Sequence, residues 1–331
     1  MAQMKYFYEL TISSSPHVHS PVTTQTIMRD VLIALAPALV GSVVFFGFRA
    51  LLVTLVSVAA CLFWEWGYCK VMKLNVKVAD LSAVVTGVLL AFVCPVTIPY
   101  WTIVLGAFFA IIVVKMLFGG LGKNIVNPAL AGRAFMFSWP VLMSTWVKVG
   151  FENAAGLGST ADVVTAATPL AALHQFHLPE TSVMASFWGN VGGCLGETSA
   201  ALLLVGFVYL LLRKVITARI PVAFIGTVAV LTFLFPMGQP RIEWMLYQLF
   251  SGGLMLGAIF MATDYVTSPL TRLGQIVYGI GCGALTVLIR YFGGYPEGVS
   301  YAILCMNCCV VLLDRIGRPV KFGAPKKEAA K

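Results

Sequence analysis

Ten apolar runs, at about 31–48, 50–68, 81–98, 100–116, 125–143, 194–212, 220–236, 246–263, 273–289 and 299–313, limit what this chain can fold into. A bilayer core of roughly 30 Å is crossed by about 20 helical residues, and these runs of about 16 to 20 fit with modest tilt. Inside hydrocarbon every backbone N–H and C=O must be satisfied internally, which leaves helices or closed barrels. A barrel demands alternating apolar and polar residues, and the runs do not alternate. The expected fold is therefore an all-α polytopic membrane protein with about ten transmembrane helices. Composition agrees: 59% of the 331 residues are hydrophobic and 11% charged, against about 25% charged in soluble domains. The net charge of +9 does not indicate nucleic acid, because the basic residues lie between runs and in the tail rather than in a stripe. About thirty residues precede the first run and no small-residue cleavage site follows it, so no cleavable signal peptide is expected. Most cysteines (Cys61, Cys94, Cys282, Cys305, Cys308, Cys309) lie within apolar runs and do not form a secreted disulfide framework.

Lys and Arg orient the chain. With the N-terminus in the cytoplasm, 17 of the 22 basic residues fall on the cytoplasmic side, four fall outside, and Arg133 lies in the fifth run. That asymmetry is what the positive-inside rule predicts for two cytoplasmic termini. The expected organisation is a cytoplasmic N-terminal segment at 1–30, a five-helix unit at 31–143, an external loop at 144–185, a second five-helix unit at 186–314 and a basic cytoplasmic tail at 315–331. The halves resemble each other. Thr86-Gly87-Val88-Leu89-Leu90 with Thr97-Ile98-Pro99 matches Leu256-Gly257-Ala258-Ile259-Phe260 with Thr267-Ser268-Pro269 at an offset of 170, and Phe118-Gly119-Gly120 matches Phe292-Gly293-Gly294 at 174. Five helices is an odd number, so the second unit enters inverted. This is a plan shared by many transport proteins, whose pathways run between the repeats beside interrupted helices. Cys94-Pro95, Pro99, Asn127-Pro128 and Pro269 are such interruptions; Gly and Pro are also simply common in membrane helices.

Ionisable groups within membrane helices are expensive and are functional candidates by default. Glu65, in Phe63-Trp64-Glu65-Trp66 beside Lys70, reads as a snorkelling interfacial carboxylate or as part of an ion relay. Asp264 directly follows an apolar run beside the repeated Thr267–Pro269 turn and is the stronger candidate for lining an ion path. Asp30 and Glu197 precede apolar runs, where a carboxylate also complements the helix dipole. Cys305-Met306-Asn307-Cys308 has CxxC spacing without a second pair, and reads as a buried inert thiol pair rather than a metal site. His17, His19, His174 and His177 lie outside the runs with no ligand cluster around them. There is no phosphate-binding glycine loop and no nucleophile–base set, so no metal and no catalytic residue is expected.

The longest polar interruption holds Asp162-x-x-Thr165-Ala166-Ala167-Thr168-Pro169-Leu170. Its Thr-Pro step alone predicts a helix N-cap, with Pro169 at the first helical position where no N–H is needed. With Ser14-Ser15-Pro16-His17, Asn127-Pro128-Ala129, Met261-Ala262-Thr263-Asp264 and Met306-Asn307-Cys308, it resembles the D subunits of the Rnf complex, an ion-pumping ferredoxin:NAD oxidoreductase. The B subunits of the sodium-pumping NADH:quinone reductase are more distantly similar. The resemblance covers essentially the whole chain and implies a scaffold like that of urea transporters. It also implies covalent FMN, esterified through its phosphate to Thr168 by a flavin transferase that reads Asp162 and Thr165. The family usually has Gly where this chain has Ala166, whose methyl disfavours positive φ. Arg133, an unpaired cation in the fifth run, is then a candidate to stabilise the flavin anion or its phosphate, or else to bond helix carbonyls, and the resemblance also implies a noncovalent riboflavin beside the FMN. The implied protein is a multi-pass component of the inner membrane with its flavin loop outside. It is not catalytic alone and works with membrane, flavin and iron–sulfur subunits. The competing reading is a flavin-free solute channel or carrier on the same scaffold.

Overall fold

Thr23 opens the first helix by closing a capping box with Thr26 at the start of α1 (Thr24–Phe46). In this computed structural model, residues 22–74, 78–147 and 168–317 are described. After α1 come α2 (Phe48–Val71), α3 (Ser82–Phe92) and α4 (Tyr100–Phe108), which continues as a π-helix over Phe109–Met116. The first half closes with α5 (Pro128–Met136) and the single turn α6 (Pro140–Met143). Two short helices follow, α7 (Pro169–His174) and α8 (Val183–Trp188). The second half comprises α9 (Ala200–Leu212), α10 (Arg219–Leu234), α11 (Arg241–Phe250), α12 (Leu254–Leu256, continuing as a π-helix over Gly257–Met261), α13 (Arg272–Phe292) and α14 (Val299–Leu313).

The all-helical expectation holds among the described residues, but the helices are unequal. Only α1, α2 and α13 are long and apolar enough to cross a bilayer alone, and α11 with the 254–261 segment forms a fourth candidate bent by 63°. The third and fifth runs end early for local reasons. Helix α3 stops before Cys94-Pro95, since a residue preceding proline is pushed away from helical geometry. Pro128 and Pro140 each start a helix rather than continue one, so the fifth run is two pieces. Such broken helices are tolerated at membrane depth only where protein covers the freed backbone groups. Here the segment after Val191 does so: Leu195 N–H donates to Cys94 O at 3.0 Å and Gly196 N–H to Phe92 O at 2.9 Å.

Packing joins the halves through α1 and α9, while α2 packs on α3 and α4, and α10 on α13. The α1–α9 crossing needs Gly206, because any Cβ there would collide with the Ala34 carbonyl. A buried carboxylate fastens the same pair: Asp30 accepts from Tyr209 Oη at 3.2 Å and from Arg213 at 3.3 Å. Asp30 is thus a tie between helices rather than only a first-turn charge.

Candidate functional site

Helix α5 positions the most densely charged buried site. Asn127 Oδ1 accepts from Ala129 N at 3.0 Å and Leu130 N at 3.4 Å, and Pro128 occupies the first turn without a donor to lose. The Asn127 amide also donates to Met261 O at 3.3 Å, tying α5 to the bent segment of the second half. Arg133 projects from this fixed start and is 2% exposed. Its Nη1 lies 2.8 Å from Glu297 Oε1, 2.8 Å from Ser300 Oγ and 3.2 Å from Glu197 Oε1. Nη2 donates to Glu297 Oε2 and stands 3.7 Å from Cys194 Sγ. The guanidinium sits over the Phe137 ring at 5.5 Å. Its Nε, and the nearby Ser251 Oγ, are buried without a hydrogen-bond partner among the described residues.

These groups form the foot of a cleft of about 920 Å³, counting its open mouth, with Thr168 on its lining. Phe137, Trp146, Phe250 and Tyr295 supply aromatic wall, and Gly192, Gly193 and Gly252 leave room between them. The mixture of apolar wall with few polar groups is the usual make-up of a ligand site. Thr168 is the N-cap of α7, its Oγ1 accepting from Ala171 N at 3.2 Å with Pro169 in the first turn. The cap uses the oxygen as an acceptor and leaves its O–H free for esterification, since an ester oxygen keeps its lone pairs. The cap and the flavin anchor are therefore compatible. Asp162, Thr165 and Ala166 lie outside the described residues.

A second cavity, of about 780 Å³, opens at the other end of α5, lined by Ser82, Lys115, Asn124, Asn127 and Asp264. Ala129 lines this cavity and Arg133 the cleft, so along the helix axis the two are separated by about 6 Å at 1.5 Å per residue. Asp264 accepts from Thr267 Oγ1 at 3.0 Å, just beyond the bent helix.

Three expectations need correction. Arg133 is not an unpaired cation: it carries two glutamates, because a guanidinium in an apolar fold must find compensating charge. Glu65 does not snorkel. It is 4% exposed and both its oxygens accept from Lys115 Nζ, at 2.9 and 2.8 Å, while the same Nζ reaches Ser82 Oγ at 2.7 Å. The third correction concerns Cys305 and Cys308, which are exposed on the surface of α14 rather than buried, because residues i and i+3 share a helix face and that face points outward.

Glu297, Lys115, Ser300 and Cys194 were not singled out from sequence. Lys115 stands three residues before Phe118-Gly119-Gly120, and Arg290 two before Phe292-Gly293-Gly294, and both are buried. Glu297 immediately precedes Gly298, the N-cap of α14, much as Val126 precedes Asn127, the N-cap of α5.

The chain is similar in sequence to known proteins over most of its length. A family model described as the NQR2, RnfD, RnfE family matches residues 11–323. The chain is 45% identical over 326 residues to the D subunit of the Na(+)-translocating ferredoxin:NAD(+) oxidoreductase complex of Acetobacterium woodii, covering 97% of this chain and 98% of that one. It is 44% identical over 329 residues to the proton-translocating counterpart of Clostridium ljungdahlii, with 95% and 96% covered. The D subunit of the ion-translocating oxidoreductase complex of Stutzerimonas stutzeri is 36% identical over 323 residues, with 90% and 91% covered.

Proposed function

Since this chain belongs to the NQR2, RnfD, RnfE family, we propose that it is the membrane-embedded D component of an ion-translocating ferredoxin:NAD⁺ oxidoreductase. On this reading it carries FMN as a phosphoester on Thr168 and passes electrons while the complex moves Na⁺ or H⁺. The observation that carries the reading is Thr168 on the lining of an aromatic-walled cleft that Arg133, with its unpartnered Nε, also lines. A bound flavin supplies one-electron chemistry; the protein supplies position and electrostatics. Arg133 and Ser251 would bind an anionic or carbonyl acceptor, Phe137 and Tyr295 would flank an aromatic ring, and the tether would replace affinity. The second cavity is the candidate place for a noncovalent riboflavin, because it lies about one helical turn along α5 from the cleft.

Ten spans in two inverted repeats remain part of the proposal. Supporting it are the matching offsets, the broken helices α3 and α11–α12, the equivalent packing of α2 on α4 and α10 on α13, and the meeting of α1 with α9. The same topology puts both termini in the cytoplasm and Thr168 outside, in the inner membrane. The described residues are helical and offer no dinucleotide-binding sheet, so ferredoxin and NAD would be handled by partner subunits, and a flavin transferase would act during maturation. The relatives named for Na⁺ and for protons are almost equally similar to this chain, so ion choice would rest on few residues rather than on the fold.

The deciding experiment is denaturing electrophoresis of the chain coexpressed with its flavin transferase. Wild-type protein is expected to give a fluorescent flavin band, and Thr168→Ala a dark one. A dark wild-type band would favour a flavin-free channel on this scaffold, and a fluorescent Thr168→Ala band would move the attachment elsewhere.

A further inference from the structure

Arg133 Nη1 has two N–H groups but three oxygens within hydrogen-bond distance, from Glu297, Ser300 and Glu197. Glu297 also takes Nη2, so it holds the guanidinium in the bidentate manner that makes such pairs strong. Glu197 is left with the longest share, 3.2 Å. Both carboxyl groups converge on one glycine: a Cβ on Gly253 would lie 2.6 Å from Oε1 of each. A second buried cation, Arg290, acts on both carboxylates through space but hydrogen-bonds neither. Arg290, from α13, directs Nη1 at Gln248 O and Oε1 (2.5 and 2.9 Å) and Nη2 at Ser251 O (3.1 Å). His174, from α7, meets only the Arg290 carbonyl, at 3.0 Å. Cys194 and Cys94 face the site from the loop and from the end of α3, and Tyr295 and Tyr301 from the start of α14. Glu197, buried, close to a second carboxylate and with only the longer share of the Arg133 guanidinium, is the one of the two whose charged form is disfavoured.

We propose that Glu197 and Glu297 together hold one exchangeable proton over Arg133, and that this proton offsets the charge of a reduced flavin tethered at Thr168. The second half of this statement rests on the flavin reading above; the first does not. The unpartnered Arg133 Nε and Ser251 Oγ, each in a residue 2% exposed, indicate that the charge to be offset belongs to a ligand in the cleft. In the pH range where the resting pair has released its proton, one electron enters the flavin from a one-electron donor such as a reduced iron–sulfur centre. One proton from outer water then binds a carboxylate oxygen of Glu197. No other bond forms or breaks, and the cleft's net charge is unchanged. Reoxidation releases both.

The test uses the full chain, flavin-loaded, in detergent. The midpoint potential is followed against pH with dithionite as reductant, beside infrared detection of a protonated-carboxyl C=O band. Wild-type protein is expected to show a band that titrates with pH, and a midpoint that falls more steeply through that range than in Glu197→Gln. Glu197→Asp should keep the steeper slope. Identical slopes in wild type and Glu197→Gln, or a loaded wild-type protein with no titrating carboxyl band, would overturn the proposal. The wild-type band needs no variant to fold, and Glu297→Gln gives a second route to the same loss. A wild type that carries no flavin yet shows the titrating band would support the proton pair while overturning the flavin reading.

Discussion

The two cavities at the ends of α5 differ in how their charge is balanced. At the Asp264 end, an ammonium with three N–H donors meets three oxygens, two from Glu65 and one from Ser82. One cation answers one carboxylate and every donor is used. At the Thr168 end, one guanidinium answers two carboxylates, and both its Nε and the neighbouring Ser251 Oγ go unused. The saturated site is a brace holding α2, α3 and the α4 extension together. The unsaturated site keeps hydrogen-bonding capacity in reserve, which is useful where a ligand binds. Buried polar groups left unmet beside a cleft point to a ligand more sharply than the presence of charge does.

That contrast can be broken by removing each cation in turn. Arg133→Leu takes the paired cation from the buried Glu197 and the half-buried Glu297 together and should be the most damaging change. Breaking a buried pair costs about 3–5 kcal/mol, so thermal unfolding in detergent should move down by the largest margin, with much of the loss restored by adding Glu297→Gln. Lys115→Met strands only Glu65, so its shift should be smaller, and Glu65→Gln should restore it more completely. A Lys115→Met loss equal to that of Arg133→Leu would erase the distinction between brace and reserve. Asp264→Asn should do least to stability, within about 1 kcal/mol, because Asp264 accepts a neutral Thr267 hydrogen bond rather than balancing a cation. It should instead impair ion transport by the assembled complex while leaving the Thr168 flavin band intact. Unchanged ion pumping in Asp264→Asn would remove this residue from the pathway.

Much of this was legible in the chain itself. The apolar runs predict the helices, and most observed helices lie on them. The Thr168-Pro169 step predicts a cap that the structure contains, because capping depends on residues three apart in sequence. The repeat offsets flag the stretches that become broken helices. The partners of Arg133 were not legible. Glu197 and Glu297 lie 64 and 164 residues from it in sequence, and Glu65 lies 50 from Lys115. No local pattern encodes pairing across such separations. Glu65 looked like an interface residue because its neighbours Trp64 and Trp66 are typical of one, yet α2 turns its Glu65 face inward toward Lys115.

The sequence by itself determined that the chain is helical and apolar, where its helices begin and break, and which hydroxyl stands at a Thr-Pro cap. Those properties follow from side-chain hydrophobicity, proline geometry and capping, all of which act over one or two helical turns. Only the tertiary structure decided that Arg133 is shared by two glutamates, that Lys115 closes onto Glu65, and that Thr168 shares a cleft with the first of these sites. Electrostatic balance at a buried point is set by whatever groups packing brings there, and packing here gathers α5, α14 and the loop before α9 from distant parts of the chain.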